Sequence, residues 1–447
     1  MSGPGNNCWL HRLALLTALA TLALLGIGGL VTSHGVGLAV PDWPNTFGYN
    51  MFLFRPSKWL GGILYEHTHR LTATFVGLLT TILAAWLWVR ETRSGPRWLG
   101  ASLIFLVLAL MGARNLPVYV GLAGLAPVVV GVSLYQAQRH PQSLRWWGII
   151  AFAAVILQGV LGGLRVVLLK DQLGIFHAIL AQLFFVLVCA LALFTSKWWQ
   201  GEGALDPRPA LSLTWISRSR RRQSALISVE KKLAPTDVGG YTLRAFSPKC
   251  EVFRLRVLLF GTTLLILGQL ILGATMRHQH AGLAIPDFPL AYGKLWPAID
   301  PGSVALYNQR RLEITDANPI SASQIGLQMA HRILAVLILS AVAWCAWSAR
   351  RRFGREHLLS KLTLGWLGLI MAQVVLGAWT VWSNKAADVA TAHVLVGALS
   401  LATGAILSIV SSRGLVLAGG PAAQPRLAAS LTETAFGPSA SAIASLQ

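Results

Sequence analysis

The sequence predicts an all-α polytopic membrane protein. It reads as two tandem parallel-repeat four-helix bundles, an eight-helix core, with an extra two-helix hairpin inserted in the first half. Three observations carry this. The 447 residues are 54% hydrophobic and only 12% charged, about half the charge of a soluble chain, which runs near 25%; the mean hydropathy is +0.59. Ten apolar stretches are long enough to be membrane spans, and a series of short motifs in the first half returns in the same order in the second. This composition excludes a soluble enzyme, a disordered protein and a nucleic-acid-binding module.

A hydrocarbon core of about 30 Å needs roughly 20 apolar residues per helix. Spans are predicted near 13–33, 67–89, 98–114, 116–135, 146–168, 175–195, 255–276, 325–347, 362–382 and 389–410. The first is too long for a cleaved signal peptide, has no small-residue exit site and runs into a patterned loop. No Arg- and Ser-rich transit segment is evident, so a bacterial cell membrane is the expected location. Cys8, Cys189, Cys250 and Cys345 are far apart with no CxxC, which supports neither a disulfide framework nor a zinc site.

Charge placement sets the expected orientation. His11-Arg12, Arg90/Arg93/Arg97, Arg139/Arg145, the run Arg218 to Arg222 and Arg350 to Arg352 occupy one set of connections. The alternate set is nearly neutral: over 277–324, Arg277, Lys294, Arg310 and Arg311 balance Asp287, Asp300, Glu313 and Asp316. The basic side should be cytoplasmic, with both termini inside. The net charge of +21 is mostly this asymmetry, and lipid headgroups rather than nucleic acid are its natural partner.

The repeat sets the domain plan. Gly35-Val-Gly-Leu-Ala-Val-Pro-Asp-Trp-Pro44 returns as His280-Ala-Gly-Leu-Ala-Ile-Pro-Asp-Phe-Pro289, and His69-Arg70 as His331-Arg332. Gln158-Gly-Val-Leu-Gly returns as Gln373-Val-Val-Leu-Gly, and His177 as His393. The first pair of histidines is offset by 262 and the second by 216, so the first half holds 46 extra residues between them. Those are assigned to the hairpin at about 98–135, which carries no His or carboxylate and is expected to be lipid-facing packing. The expected units are 1–196, a basic cytoplasmic linker 197–253, a second bundle 254–413 and a disordered tail 414–447.

His69, His177, His331 and His393 fall at equivalent places, each near the non-cytoplasmic start of its helix. Polar groups in a bilayer are costly and usually functional, and neutral imidazole is a good ligand for haem iron and transition metals. Zinc and copper sites usually add a third protein ligand, and none repeats here. Two axial imidazoles per half fit better. Arg70 and Arg332, directly after their histidines, are candidates for propionate pairing or for snorkelling to the interface. His34, His67, His278 and His280 are expected in solvated loop roles. Glu66 stands three residues before His69, whereas Gln328 stands three before His331. An ionisable group on the same helix face as the histidine suits proton transfer or stabilisation of developing cation charge. The first half is therefore the candidate for chemistry and the second for a resident haem.

Taken together, the Pro-Asp-Trp-Pro loop, Glu66-His-Thr-His69-Arg70, the Gln158 to Val166 segment, Phe176-His177-Ala, His331-Arg332 and His393 resemble the haem A synthase family over about 13–195 and 255–410. The resemblance implies oxidation of the carbon-8 methyl group of haem O to a formyl group by successive hydroxylations, giving haem A for cytochrome oxidase. It implies His69 and His177 at the substrate haem, His331 and His393 at a b-type haem, and Glu66 in catalysis. Implied partners are haem O, an electron donor, haem O synthase and cytochrome oxidase assembly factors. Some members carry a cysteine pair in the first outer loop; residues 34–65 contain none, which excludes a thiol step there. A di-haem quinol-oxidising electron carrier and a haem-handling protein remain alternatives.

Overall fold

The structure, a computed structural model, describes residues 7–92, 94–112, 116–200, 248–310 and 319–417. It is all-helical apart from loops with isolated β-bridges. The first part comprises α1 (Cys8–Ser33), α2 (Gly62–Glu91), α3 (Ser94–Leu110), α4 (Leu116–Arg139), α5 (Arg145–Leu168) and α6 (Asp171–Thr195). The second comprises α7 (Pro248–His278), a short α8 (Pro301–Arg310), α9 (Ala322–Phe353), α10 (Leu358–Trp382) and α11 (Ala387–Leu417). Each predicted span falls on a helix. Nine of the described helices are long and apolar enough to cross a membrane. The exception is α3, whose apolar stretch Gly95–Leu110 is short for a straight crossing. Helix α7 starts inside the segment expected as linker, and α11 continues past the expected start of the tail. Residues 201–247 and 418–447, which hold the rest of those two segments, lie outside the described residues.

Helix ends follow local chemistry. Asn7 caps α1 through its side chain, and Ser321 and Gln324 form a reciprocal capping box at α9. Glu91, the last residue of α2, accepts hydrogen bonds from Ser143 Oγ (2.6 Å), Leu144 N and Arg145 N (both 3.1 Å) at the start of α5. That carboxylate joins α2 to α5 directly although the α3–α4 hairpin intervenes in sequence. Pro127 sits inside α4, where membrane helices tolerate it.

Packing gives two closed cycles of neighbours. Helix α1 packs on α2, α2 on α5, α5 on α6 and α6 on α1; α7, α9, α10 and α11 do the same. The cycles meet where α11 packs against α1 and α6, and α6 against α7. Leu10, Ala14, Val188 and Leu191 share one core with Ala398 and Ala402 of α11, so small residues let the cycles approach closely. Helix α3 lies on α2 and α4 on α5. The hairpin is therefore attached to the outside of the first cycle. The loop 34–61 and the described residues of the connection from α7 to α9, 279–310 and 319–321, lie at the same end of the molecule as the four motif histidines.

Candidate functional site

Those two loops are built alike. Asp42 accepts from Phe47 N and Gly48 N, both at 2.8 Å; Asp287 accepts from Tyr292 N at 2.7 Å and Gly293 N at 2.8 Å. The amide pair in each belongs to a turn with two positive φ values, 51° and 78° in one and 55° and 76° in the other. Only a short-range anchor or glycine holds such a turn, and the aspartate supplies it. Asp42 and Asp287 are loop staples.

Each motif histidine lies against a glycine on a neighbouring helix. A methyl group added at Gly28 would stand 3.0 Å from His69 Cε1, at Gly162 3.1 Å from His177, at Gly273 3.4 Å from His331 and at Gly377 3.3 Å from His393. In all four rings Nδ1 is buried with no hydrogen-bond partner. Nδ1 of each ring is thus sealed by protein, and no hydrogen bond among the described residues engages Nε2, which leaves Nε2 as the nitrogen able to meet a ligand. Glutamine amides brace three of the four helix turns, donating to the backbone carbonyl of His177 from Gln158 (3.0 Å), of His331 from Gln269 (2.9 Å) and of His393 from Gln373 (2.6 Å). At the fourth, the residue corresponding to Gln269 is Leu24. The rings of His69 and His177 lie near enough to interact electrostatically, as do those of His331 and His393.

His69 and His177 face a chamber of about 760 Å³ in the first cycle, together with Glu66, Arg70, Arg165 and Trp43. That is the size class of cofactor and ligand cavities. Glu66 is 3% exposed and Arg70 9%. They form an ion pair at 2.6 Å across one helical turn, and the second Glu66 oxygen accepts from Val40 N at 2.8 Å. Arg70 also donates to the carbonyls of Val40, Asp42 and Asn45 at 2.6–2.9 Å. In the second cycle Gln328 takes the place of Glu66: its oxygen accepts from Ile285 N at 2.6 Å and its amide donates to Gly282 and Ile285 carbonyls. Arg332 donates to Leu290 and Asp287 carbonyls, both at 2.8 Å. Both arginines thus tie the outer loop to its helix, a use their sequence position did not reveal.

Two cationic side chains absent from the motif reading also line the chamber. Arg165 makes no hydrogen bond or ion pair among the described residues. Its signal in the sequence was a charge inside an apolar span. Arg277, from the second cycle, donates to Gly29 O at 2.6 Å and to Ser33 Oγ. Beside it His278 packs on Gly174 and faces the same chamber, contrary to the solvated loop role expected of it. His67 is likewise not solvated: it is fully buried, bonded to Thr46 Oγ1 at 3.2 Å and enclosed by Phe54 and Trp59. Among the described residues no cluster of three or more His, Cys, Asp or Glu could hold a bare metal ion.

The Trp43 indole lies on the backbone of Gly163, where a methyl group would overlap it. The second half carries Phe288 and Ala378 at the matching positions, a smaller ring with a larger helix residue. Gly163→Ala is accordingly expected to lower stability by about 1–3 kcal/mol, the usual cost of overpacking. Gly365→Ala, placed where a methyl meets nothing within 4 Å, should not. Thermal unfolding of the two variants in detergent checks the difference.

Comparison with known proteins meets this geometry. The sequence profile of the COX15-CtaA family, described as a cytochrome oxidase assembly protein, matches residues 236–404. Over those residues the chain is similar to this family. Similar proteins include the haem A synthase of Geobacillus kaustophilus, 22% identical over 85% of this chain and 84% of the relative. That of Bacillus mycoides is 23% identical over 90% and 94%. The haem A synthase of Shouchella clausii is 31% identical over a shorter stretch, 33% of this chain and 44% of that protein.

Proposed function

We propose that this chain is a haem A synthase, a membrane oxidoreductase acting on the methyl group at ring carbon 8 of haem O. The observation that carries the reading is the pair of matched imidazole couples, each seated on glycine, with an ionisable carboxylate beside only one. The two helix cycles are read as copies of one four-helix unit in parallel orientation. The chain is placed in the cell membrane with its basic face and both termini cytoplasmic, and the histidines toward the outer leaflet.

The first chamber is assigned to haem O, whose iron His69 and His177 would hold. His331 and His393 would hold a b-type haem, which supplies one-electron transfer when bound. The fit rests on the unengaged Nε2 of each ring, on the glycines that lie beside the rings, and on there being no third His, Cys, Asp or Glu placed to join either pair at a metal ion among the described residues. Arg165 and Arg277 suit the propionates of the substrate, since a guanidinium recognises a carboxylate with paired donors; Arg70 and Arg332 serve it indirectly by fixing the loops. Each of the two hydroxylations would remove two electrons from the methyl group, to an acceptor outside the chain, and add a water oxygen with release of two protons; the geminal diol would then lose water to leave the formyl group. Glu66 stabilises positive charge developing at the methyl carbon and accepts the proton released there. Its salt bridge to Arg70 and its bond from Val40 N fix the carboxylate in place. Gln328 cannot do either, which suits the second half to electron relay.

Pigment extraction after expression with a haem O source tests the reaction. A formyl porphyrin is expected from the wild type. Unaltered haem O bound to a reduced, aerated protein would favour an electron carrier instead. His331→Ala or His393→Ala should remove the low-spin haem signal of the second half, read from the absorption spectrum of the purified protein. Persistence of that signal in both variants would refute the ligand assignment.

A further inference from the structure

The α3–α4 hairpin has no counterpart in the second cycle, yet it is more than a lipid-facing appendage. Its inner face is regular: Tyr119, Ala126, Ser133 and Ala137 are the buried positions of α4, and Ala101 and Ile104 those of α3, with Ile104 packed among Ala84, Ala85, Phe152 and Ile156 of α2 and α5. The upper end of α3 reaches further in. Leu108, Ala109, Met111 and Gly112 form part of the wall of the first chamber.

This stretch is pinned from two directions. Met111 lies over Gly159 of α5, where an added methyl would stand 3.2 Å from Met111 Cε. The buried Tyr119 of α4 donates its hydroxyl to Met111 O at 3.2 Å, and its ring stands 4.5 Å from Trp43. Trp43 itself rests on Gly163, one helical turn beyond Gly159. Hairpin, outer loop and chamber are thus locked together through Met111, Tyr119 and Trp43.

The wall is chemically one-sided. None of its four residues offers a charged or hydrogen-bonding side chain; Gly77 and Leu78 of α2 and Val155 and Ile156 of α5 add apolar lining, and the polar Thr74 and Gln158 of the same helices already spend their hydroxyl and amide on backbone carbonyls. The cations stand elsewhere in the lining: Arg165 lies nine residues beyond Ile156 on α5, and Arg277 comes from α7. A ligand that fills the whole chamber must therefore present a polar edge to one part and an apolar, flexible part to the other. Lipid is as apolar as such a wall, so what the wall adds is shape. It fixes one conformation of a chain that bulk lipid would leave free.

We propose that the hairpin wall binds the isoprenoid tail of the substrate, the group that distinguishes haem O from haem b. The proposal rests on the assignment of the first chamber to haem O. A ring held by His69 and His177 with its propionates toward Arg165 and Arg277 could still enter either way up. An off-axis anchor at the tail sets which methyl group is presented to Glu66, and Leu108 and Met111 are specificity-determining residues in that sense.

The test compares two ligands in full-length protein whose second half is already loaded with haem. Wild type, Leu108→Trp and Met111→Trp are titrated with haem O and with haem b, which lacks the tail, and binding is read from difference spectra. The tryptophans should weaken haem O binding at least tenfold and change haem b binding less than twofold. Equal losses for both ligands, or undiminished haem O binding, would overturn the tail assignment while leaving the substrate assignment standing. A wild type whose first chamber takes up neither ligand would overturn both. The low-spin signal of the second half reports folding in every sample. Should a tryptophan variant fail to fold, the double variant Leu108→Ala, Met111→Ala decides: it should lower the preference for haem O over haem b at least threefold, and an unchanged preference refutes the proposal.

Discussion

Glu66→Gln should abolish formyl-haem production while leaving the protein folded and its haems bound. The second half already demonstrates that this position accepts glutamine: Gln328 bonds the amide of Ile285 as Glu66 bonds that of Val40. Arg70 would lose its carboxylate but keep the carbonyls of Val40, Asp42 and Asn45. The variant therefore separates charge from shape, which alanine would not. Loss of a general acid–base group costs about 10²–10⁴-fold in rate, and a fall of that order in extracted haem A is expected with substrate still present. Retention of more than a tenth of wild-type product would reduce Glu66 to a loop anchor.

Arg70→Ala should be far more damaging to the fold than Arg332→Ala. Removing Arg70 leaves the buried Glu66 carboxylate without its counter-charge, a loss that runs to about 3–5 kcal/mol for buried pairs. It also frees three carbonyls of the 40–45 loop that lies over the chamber. Arg332 holds two carbonyls and faces a neutral glutamine, so its loss should cost about 1 kcal/mol per hydrogen bond. Thermal unfolding of the two variants in one detergent measures the gap. Equal destabilisation would mean that the ion pair adds nothing beyond its hydrogen bonds.

The helices were legible because apolar length and loop charge are local properties of the sequence. The two-copy pattern was legible for the same reason: four histidines and two Pro-Asp loops recur in register. What local pattern could not carry was contact across helices. Gly28 and Gly273 look like any small residues in an apolar span until His69 and His331 are found lying on them. Arg70 followed a candidate ligand and so read as an anion partner; its donors instead go to a loop some 25–30 positions earlier in the chain, a distance that no periodicity spans. His67 illustrates the converse. Two residues from His69 in a helix it must point elsewhere, and the sequence does not say that a capping loop with Phe54 and Trp59 will bury it. The hairpin was legible as an insertion but not as a wall, because only its upper end turns toward the chamber.

Arg277 and His278 have a consequence for the architecture. They come from α7, yet they complete a vessel whose remaining sides are drawn mostly from α1 to α6. A first half made by itself would keep both imidazoles and the acid but stand open along one flank, without the guanidinium and the ring that close it. The first chamber is therefore a product of the whole chain and not of its first part alone.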